Sequence, residues 1–337
     1  MSQRLAARAK VFLAGEHAVL EAGRPALVAG IDRMLHASVS PSEGGLQIVH
    51  GPSGVSFCGG EVPDQLRFAV RAAGLAARFR RGAPAVRIVF EDDLAVEGRK
   101  LGLGGSAAAS VLAVRAVCAV SGQAVTDDEV LSLALAAHWA EQGGSGSGGD
   151  VAASALGGVL EVRSRIPWRS AEEVMAMPPE QIAASRPLQI VQVRTPSGLR
   201  MLLADAGAPA DTRELVRAVR QLARNKPQVW SERANEISAA CQALRAALET
   251  DAAPSALAAV RAGGAAMAAL GEAAGVPIVT PGLARACALA SAAGAAGKPS
   301  GAGGGDCAVI LAFGDEARDR AEAALRPHFP VFRVTPA

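Results

Sequence analysis

Three glycine-rich stretches of this 337-residue chain each carry a residue able to hold or transfer charge. "LGLGGSAAAS" (101–110) carries a serine, "GGSGSGGD" (143–150) an aspartate, and "KPSGAGGGDC" (298–307) a lysine before its glycines and an aspartate after them. The first runs straight into an apolar, helix-patterned segment. A helix starting on such a loop leaves its first backbone N–H groups unpaired at the positive end of its dipole, where a phosphate fits. Gly102, Gly104 and Gly105 would let the backbone close on an oxyanion, and Ser106 sets a hydroxyl where a magnesium ion could bind. Read alone, the stretch is equally a flexible turn that caps a core helix. Likewise Asp150, at the entrance of a helix, is by itself an N-cap, and the serines of the second cluster are ordinary loop residues. The third cluster reads alone as a loose hairpin.

The spacing Gly102-x-Gly104-x-x-Ala107, with Asp127 and Asp128 downstream, also fits a dinucleotide fingerprint. That motif belongs to the turn after a strand in a βαβ unit. Here "LAVEGRK" precedes the loop and two helices follow it in succession. No GxxxxGK[ST] pattern occurs.

The elements that must carry these loops follow from periodicity. "KVFLAGEHAVL", "RPALVAGIDRMLHASVS" and "LQIVHG" make a β-rich opening, a helix follows Pro63, and "AVRIVFEDD" is a strand. After the first loop comes a helix whose only charge is Arg115, then one capped at Thr126 or Asp127, then the strand "VLEVRS". Residues 169–186 read as a polar connector, with "PLQIVQVRT" and "RMLLADAG" beyond it as a strand pair. Helices near 211–225, 227–250, 254–273 and 281–295 precede the buried strand "CAVILAF", the helix "DEARDRAEAALR" and a last strand "VFRVT". Strands and helices mix without regular βαβα alternation, which predicts two α+β domains.

Composition narrows the partners. Half the residues are hydrophobic, and 34 basic against 32 acidic residues give a net charge of +2 without a long charge run. No nucleic-acid or membrane partner is expected, whereas a small anionic ligand is compatible. The five cysteines are scattered without CxxC spacing, which speaks against a zinc site and for a reduced, cytoplasmic protein. The start, "MSQRLAARAKVFLAGE", lacks a secretory apolar core, and no uninterrupted apolar run reaches membrane-helix length. A monomer and a homodimer are both compatible.

Taken together, the three clusters and Lys10 beside the first strand resemble the GHMP kinase superfamily along the whole chain. "KVFLAGEHAVLEAGRPAL" is similar to its first motif, "GLGGSAAAS" to its phosphate-binding loop and "KPSGAGGGDC" to its third motif. The resemblance implies a two-domain fold, residues 1–185 and 186–337, with the active site in the cleft between domains and the late loop folding against nucleotide and substrate. It implies ATP as co-substrate with Mg2+, the ATP contacts coming from Gly102, Leu103, Gly104, Gly105, Ser106 and Ala107, and the metal ligands being Ser106 and Glu141. Lys10 and Asp150 are the implied catalytic residues. His17, Lys100, Ser145, Ser147, Ser300, Gly301 and Asp306 are the implied substrate contacts, although Lys100 beside Arg99 is equally ordinary surface charge. His138 reads as a structural histidine on an apolar helix.

Within the superfamily the likeness is closest to the mevalonate-pathway kinases. "GSGSGGDVAASALGG" and the ending "GGGDC" point to 5-phosphomevalonate as acceptor, whereas "GEHAVL" around His17 points to mevalonate; a non-catalytic metabolite sensor is the third reading. Gly105 replaces the first serine of the usual Gly-Ser-Ser, and Asp211 stands before Thr212 where a serine is usual. The two acceptors ask different things of Asp150. An alcohol must lose a proton to a base as the bond forms, but a phosphate, with a second pKa near 6, is already mostly anionic. With the phosphate acceptor, Asp150 would orient Lys10 and the substrate more than remove a proton.

Overall fold

The β-rich opening residues produce two long strands, and an irregularity between them gives each strand two different buried faces. The computed structural model describes residues 2–337 apart from 83, 84, 93, 97, 98, 123, 208–211 and 306, and apart from the side chains of 95, 96, 99, 100, 212 and 213. β1 (Gln3–Ala14) leads through a 3₁₀ turn (Ala18–Leu20) to β2 (Pro25–Pro41), and the two pair antiparallel. Their register shifts between Arg8 and Ala9, where Arg8 faces Met34 but Ala9 faces Ile31. Residues two apart therefore look to opposite sides. Ala7, Leu35, Ala37 and Val39 join one core, whereas Ala9, Val11, Leu27, Ala29 and Ile31 join another.

β3 (Gln47–His50) and β4 (Val55–Phe57) precede helix α1 (Arg67–Phe79) and β5 (Val86–Phe90). A small pair, β6 (Ala95–Val96) and β7 (Arg99–Lys100), comes next. α2 (Gly105–Val120) and α3 (Asp127–Glu141) follow, α3 starting on a capping box of Thr126 and Glu129. α4 (Gly149–Leu156) leads to β8 (Val159–Ser164), and the connector folds as α5 (Ala171–Ala176) and α6 (Pro179–Ala184) before β9 (Leu188–Gln192). These strands form a seven-stranded sheet in the order β4-β3-β5-β2-β8-β9, with β1 on β2. α1, α2 and α3 bury their apolar faces on one side of it.

The second sheet contains β10 (Leu199–Asp205), β11 (Ala296–Pro299), β12 (Cys307–Phe313) and β13 (Val331–Val334) in the order β11-β12-β10-β13, all antiparallel. Between its strands come α7 (Thr212–Asn225), α8 (Pro227–Glu249), α9 (Ala253–Ala274), α10 (Pro281–Ala292) and α11 (Asp315–Leu325). The expected pairing of "PLQIVQVRT" with "RMLLADAG" does not form. β9 pairs with β8 in the first sheet, and β10 is flanked by β12 and β13, so the chain changes sheets after Gln192. α9 has the length and mean hydropathy of a membrane helix, yet its Val260 packs in the core shared by the two sheets and its Met267 and Leu270 pack against α7 and α8.

Two of the ties between the second half of the chain and the first lie at the C-terminal tail and in β11. The C-terminal tail lies on the β2 irregularity, where Asp32 accepts from the Thr335 backbone and hydroxyl at 3.0 and 2.8 Å and Ala337 N donates to Gly30 O at 2.9 Å. The other is an ion pair between Glu16, just after β1, and Lys298 in β11, whose ammonium also donates to Pro299 O at 2.6 Å. The two residues are 3% and 1% exposed, so Lys298 belongs to a buried strand rather than to a loose hairpin.

Removing one partner of a buried pair leaves the other charge without a counterion, a loss of about 3–5 kcal/mol. Lys298→Ala is expected to lower the unfolding free energy by about that much. The double variant Glu16→Leu/Lys298→Met, which removes both charges, should lose less. Guanidinium unfolding curves check this, and a loss under about 1 kcal/mol for Lys298→Ala would mean that water reaches the Glu16 carboxylate.

Candidate active site

The first glycine cluster is the turn between β7 and α2, and its shape is set by Lys10. Gly104 caps α2 with φ 83°, and a Cβ there would lie 2.8 Å from Lys10 Cγ, so only glycine fits. Lys10 N donates to Leu103 O at 2.9 Å and its ammonium to Gly102 O at 2.6 Å. The lysine side chain thus lies flat along the loop. α2 begins at Gly105 with Ser106 and Ala107 in its first turn. The loop follows the β6–β7 pair, not a strand of a βαβ unit, and the dinucleotide reading falls on that topology.

Ser106 Oγ shares a hydrogen bond of 3.1 Å with His138 Nε2 of α3, and the same nitrogen lies 3.8 Å from Asp150 Oδ2. His138 is buried, its ring 4.9 Å from that of Phe68. Burial pushes its pKa down, against the raising influence of Asp150 and Glu141. The histidine read as structural is therefore the hinge of the polar constellation, a neutral ring joining the serine to the aspartate. Asp150 is not the N-cap of α4. Gly148 takes that position with φ 78°, leaving Asp150 in the first turn with Oδ1 accepting from Val151 N at 2.9 Å. Among the described residues no ion pair joins Asp150 to Lys10.

Ser106 and Asp150 open into a cleft of about 1190 Å³ between the two halves of the molecule. Ser145, Ser147, His17 and Gly301 also line it. The serine hydroxyls serve their own loop, Ser145 donating to Gln142 O at 2.9 Å and Ser147 accepting from Gly149 N at 3.3 Å. Ser300, expected at the substrate, instead accepts from Phe12 N at 3.1 Å and so fastens the late loop to β1. His17 stands at φ 60° with Nε2 2.9 Å from Ala302 O, buried, its pKa pushed down by that burial. Its Nδ1 and the Oε2 of neighbouring Glu16 are buried without a partner. The late loop is held down at Gly303, where a Cβ would overlap the Ile278 carbonyl.

Glu141, expected as a metal ligand, is committed elsewhere. Its carboxylate is bound by Arg71 and lies 3.6 Å from Arg67 Nε, both on α1, so it is a salt-bridge partner outside the cleft wall. Lys100 lies in β7 with its side chain outside the described residues, as does the whole of Asp306. Four arginines that the sequence reading passed over do reach the cleft: Arg67 from α1 and Arg217, Arg220 and Arg224 from α7. The α7 set recurs at i, i+3 and i+7, a stripe that periodicity alone could have picked out. Backbone donors at a helix start, one ammonium, several guanidinium groups and two hard oxygens suit the transfer of an anionic group held by position and charge.

Comparison with known proteins agrees with this geometry. The family model described as GHMP kinases N terminal domain matches residues 67–158, and that described as GHMP kinases C terminal matches residues 244–331. A phosphomevalonate kinase of Streptomyces sp. (strain CL190) is 32% identical, the match covering 92% of this chain and 90% of that protein. Among solved structures, the Streptococcus pneumoniae phosphomevalonate kinase in complex with phosphomevalonate and AMPPNP superposes with a TM-score of 0.87 at 20% identity, over 99% of this chain and all of that one. The Methanococcus jannaschii mevalonate kinase follows at 0.78 and 19%, over 100% of this chain and 99% of that one, so the fold is shared by both acceptor classes. With both family models met in chain order around one cleft, and a relative similar over nearly its whole length, this chain belongs to the GHMP kinases.

Proposed function

We propose that this kinase transfers the γ-phosphoryl group of ATP to the phosphate of 5-phosphomevalonate, giving 5-diphosphomevalonate and ADP. The observation that carries the reading is the Ser106–His138–Asp150 constellation opening into an arginine-walled cleft. The Streptomyces relative supports the acceptor, and the pneumococcal enzyme of the same fold, described with phosphomevalonate and AMPPNP, supports ATP.

In this reading the ATP phosphates take the N–H groups at the start of α2, and Lys10, seated on the Gly102 carbonyl, holds a fixed positive charge beside them. The Ser106 hydroxyl and the Asp150 carboxylate, two hard oxygens within reach of one histidine nitrogen, fit Mg2+ and would hold it together with phosphate oxygens, supplying charge neutralisation. Neutral His138 keeps the serine and the aspartate in register without adding a third charge. The acceptor phosphate arrives already mostly anionic, so Asp150 positions and needs to abstract little. Ser147 and Gly301, which line the cleft, wall the acceptor's place.

The purified protein with MgATP should release ADP with 5-phosphomevalonate and far more slowly with mevalonate. Turnover of mevalonate alone would overturn the reading and make Asp150 the base. Asp150→Asn, which keeps an amide oxygen for the metal while removing any base, is expected to cost less than the roughly 10²-fold that loss of a general base brings, whereas Lys10→Met should cost at least about 10²-fold in kcat.

A pH dependence follows from the two buried histidines. Their folded-state pKa values lie below the ordinary 6.5, so below about pH 6.5 the unfolded chain binds protons that the folded chain refuses. Their contribution is fully present above that pH and is lost as pH falls toward the folded values, by up to about 1.4 kcal/mol per pH unit for each histidine. Denaturant unfolding at about pH 7 and pH 5.5 measures it, and His138→Gln should flatten the slope.

A further inference from the structure

α7 is an amphipathic helix whose two faces have unlike partners. Leu215, Val219 and Leu222 are buried with Ile237 of α8 and Met267 and Leu270 of α9, which fixes the helix on the C-terminal half. Arg217, Arg220 and Arg224 project from the other face into the cleft, and none has an acidic partner among the described residues. The other charges of the cleft wall among the described residues have these partners. Glu16 is neutralised by Lys298, Arg67 is shared between Glu141 and Asp64, and among the described lining residues Asp150 is the carboxylate without a Lys or Arg partner. His17 and His138 are neutral by burial. Three guanidinium groups on one helix face, uncompensated, repel one another in the absence of a ligand and call for a polyanion.

The nucleotide already has its own receptor in the glycine loop, of which only Ser106 reaches this cleft among the described residues. An alcohol acceptor with a single carboxylate would leave most of that positive charge unanswered. A phosphorylated acceptor that becomes a diphosphate answers it, and guanidinium forks match phosphate oxygens in geometry as well as charge. Resting on the acceptor reading above, we propose that the Arg217–Arg220–Arg224 face of α7 binds the phosphate of the acceptor and sets the preference for a phosphate over an alcohol.

The test compares kinetics of the wild type with Arg217→Gln, Arg220→Gln and the pair, using 5-phosphomevalonate, mevalonate and MgATP. Both side chains are exposed, so the fold should persist, which thermal unfolding checks. The expected result is a rise of at least about tenfold in KM for 5-phosphomevalonate for the pair, with KM for MgATP within about twofold and the phosphomevalonate-to-mevalonate selectivity falling in proportion. Arg220→Lys, which keeps the charge but not the fork, should fall between wild type and Arg220→Gln. A rise in KM for MgATP instead, or no change in either constant, overturns the proposal. Wild-type protein inert toward 5-phosphomevalonate would instead overturn the acceptor reading, and that is seen before any variant is made.

Discussion

The ion pair between Glu16 and Lys298 is the constraint on which the site depends, because it joins residues 282 positions apart at the seam of the two sheets. A lysine ammonium taken out of water demands a carboxylate and further acceptors, and Glu16 with the Pro299 carbonyl supplies them. Once β11 is pinned there, the residues that follow have little choice of path. Ser300 meets the backbone of Phe12, Ala302 meets His17, and Gly303 meets Ile278. Gly303 thus serves close approach under tight constraint, not looseness. The buried and unpartnered Glu16 Oε2 and His17 Nδ1 beside it are the cost of placing two polar residues where the lobes meet, and both residues face the cleft.

The same logic of one local irregularity with distant effect holds in the first sheet. A regular β2 would have sent every odd residue to one side. The shift opposite Arg8 and Ala9 splits the strand, so its first half packs with the second sheet and its second half with α1 and α2. Lys10 and Phe12 lie just beyond the shift, next to the glycine loop and the cleft, and the bulge exposes Asp32 for the C-terminal tail to bind. Phosphoryl transfer asks a protein for placement above all, and the placement here is built from backbone geometry as much as from side chains.

Much of this was legible beforehand because it is local. Periodicity located α2, α3, the α7 to α10 run and "CAVILAF", and glycines at helix entrances located the loops. The Thr126 cap was readable from its type and from Glu129 three positions on. What sequence did not disclose depends on long-range pairing. Strand partners are chosen by the sheet, so "PLQIVQVRT" went to β8 instead of its neighbour. Glu141 has the right type for a metal ligand, but two arginines seventy-odd residues earlier claim it. His138 looked apolar by its neighbours, although its ring edge meets Ser106 and Asp150, which come from two other helices.

The arginine stripe of α7 shows where the boundary between the two kinds of information falls. Spacing at i, i+3 and i+7 puts three cations on one face, and solvent is the usual destination of such a face. The apolar residues opposite decide otherwise. Leu215, Val219 and Leu222 seat the helix on α8 and α9, and that seat leaves the basic face on the wall of the cleft that Ser106 and Asp150 also line. Burial on one side therefore aims charge on the other, and a helix that contributes nothing to the glycine loop gives the cleft most of its positive charge.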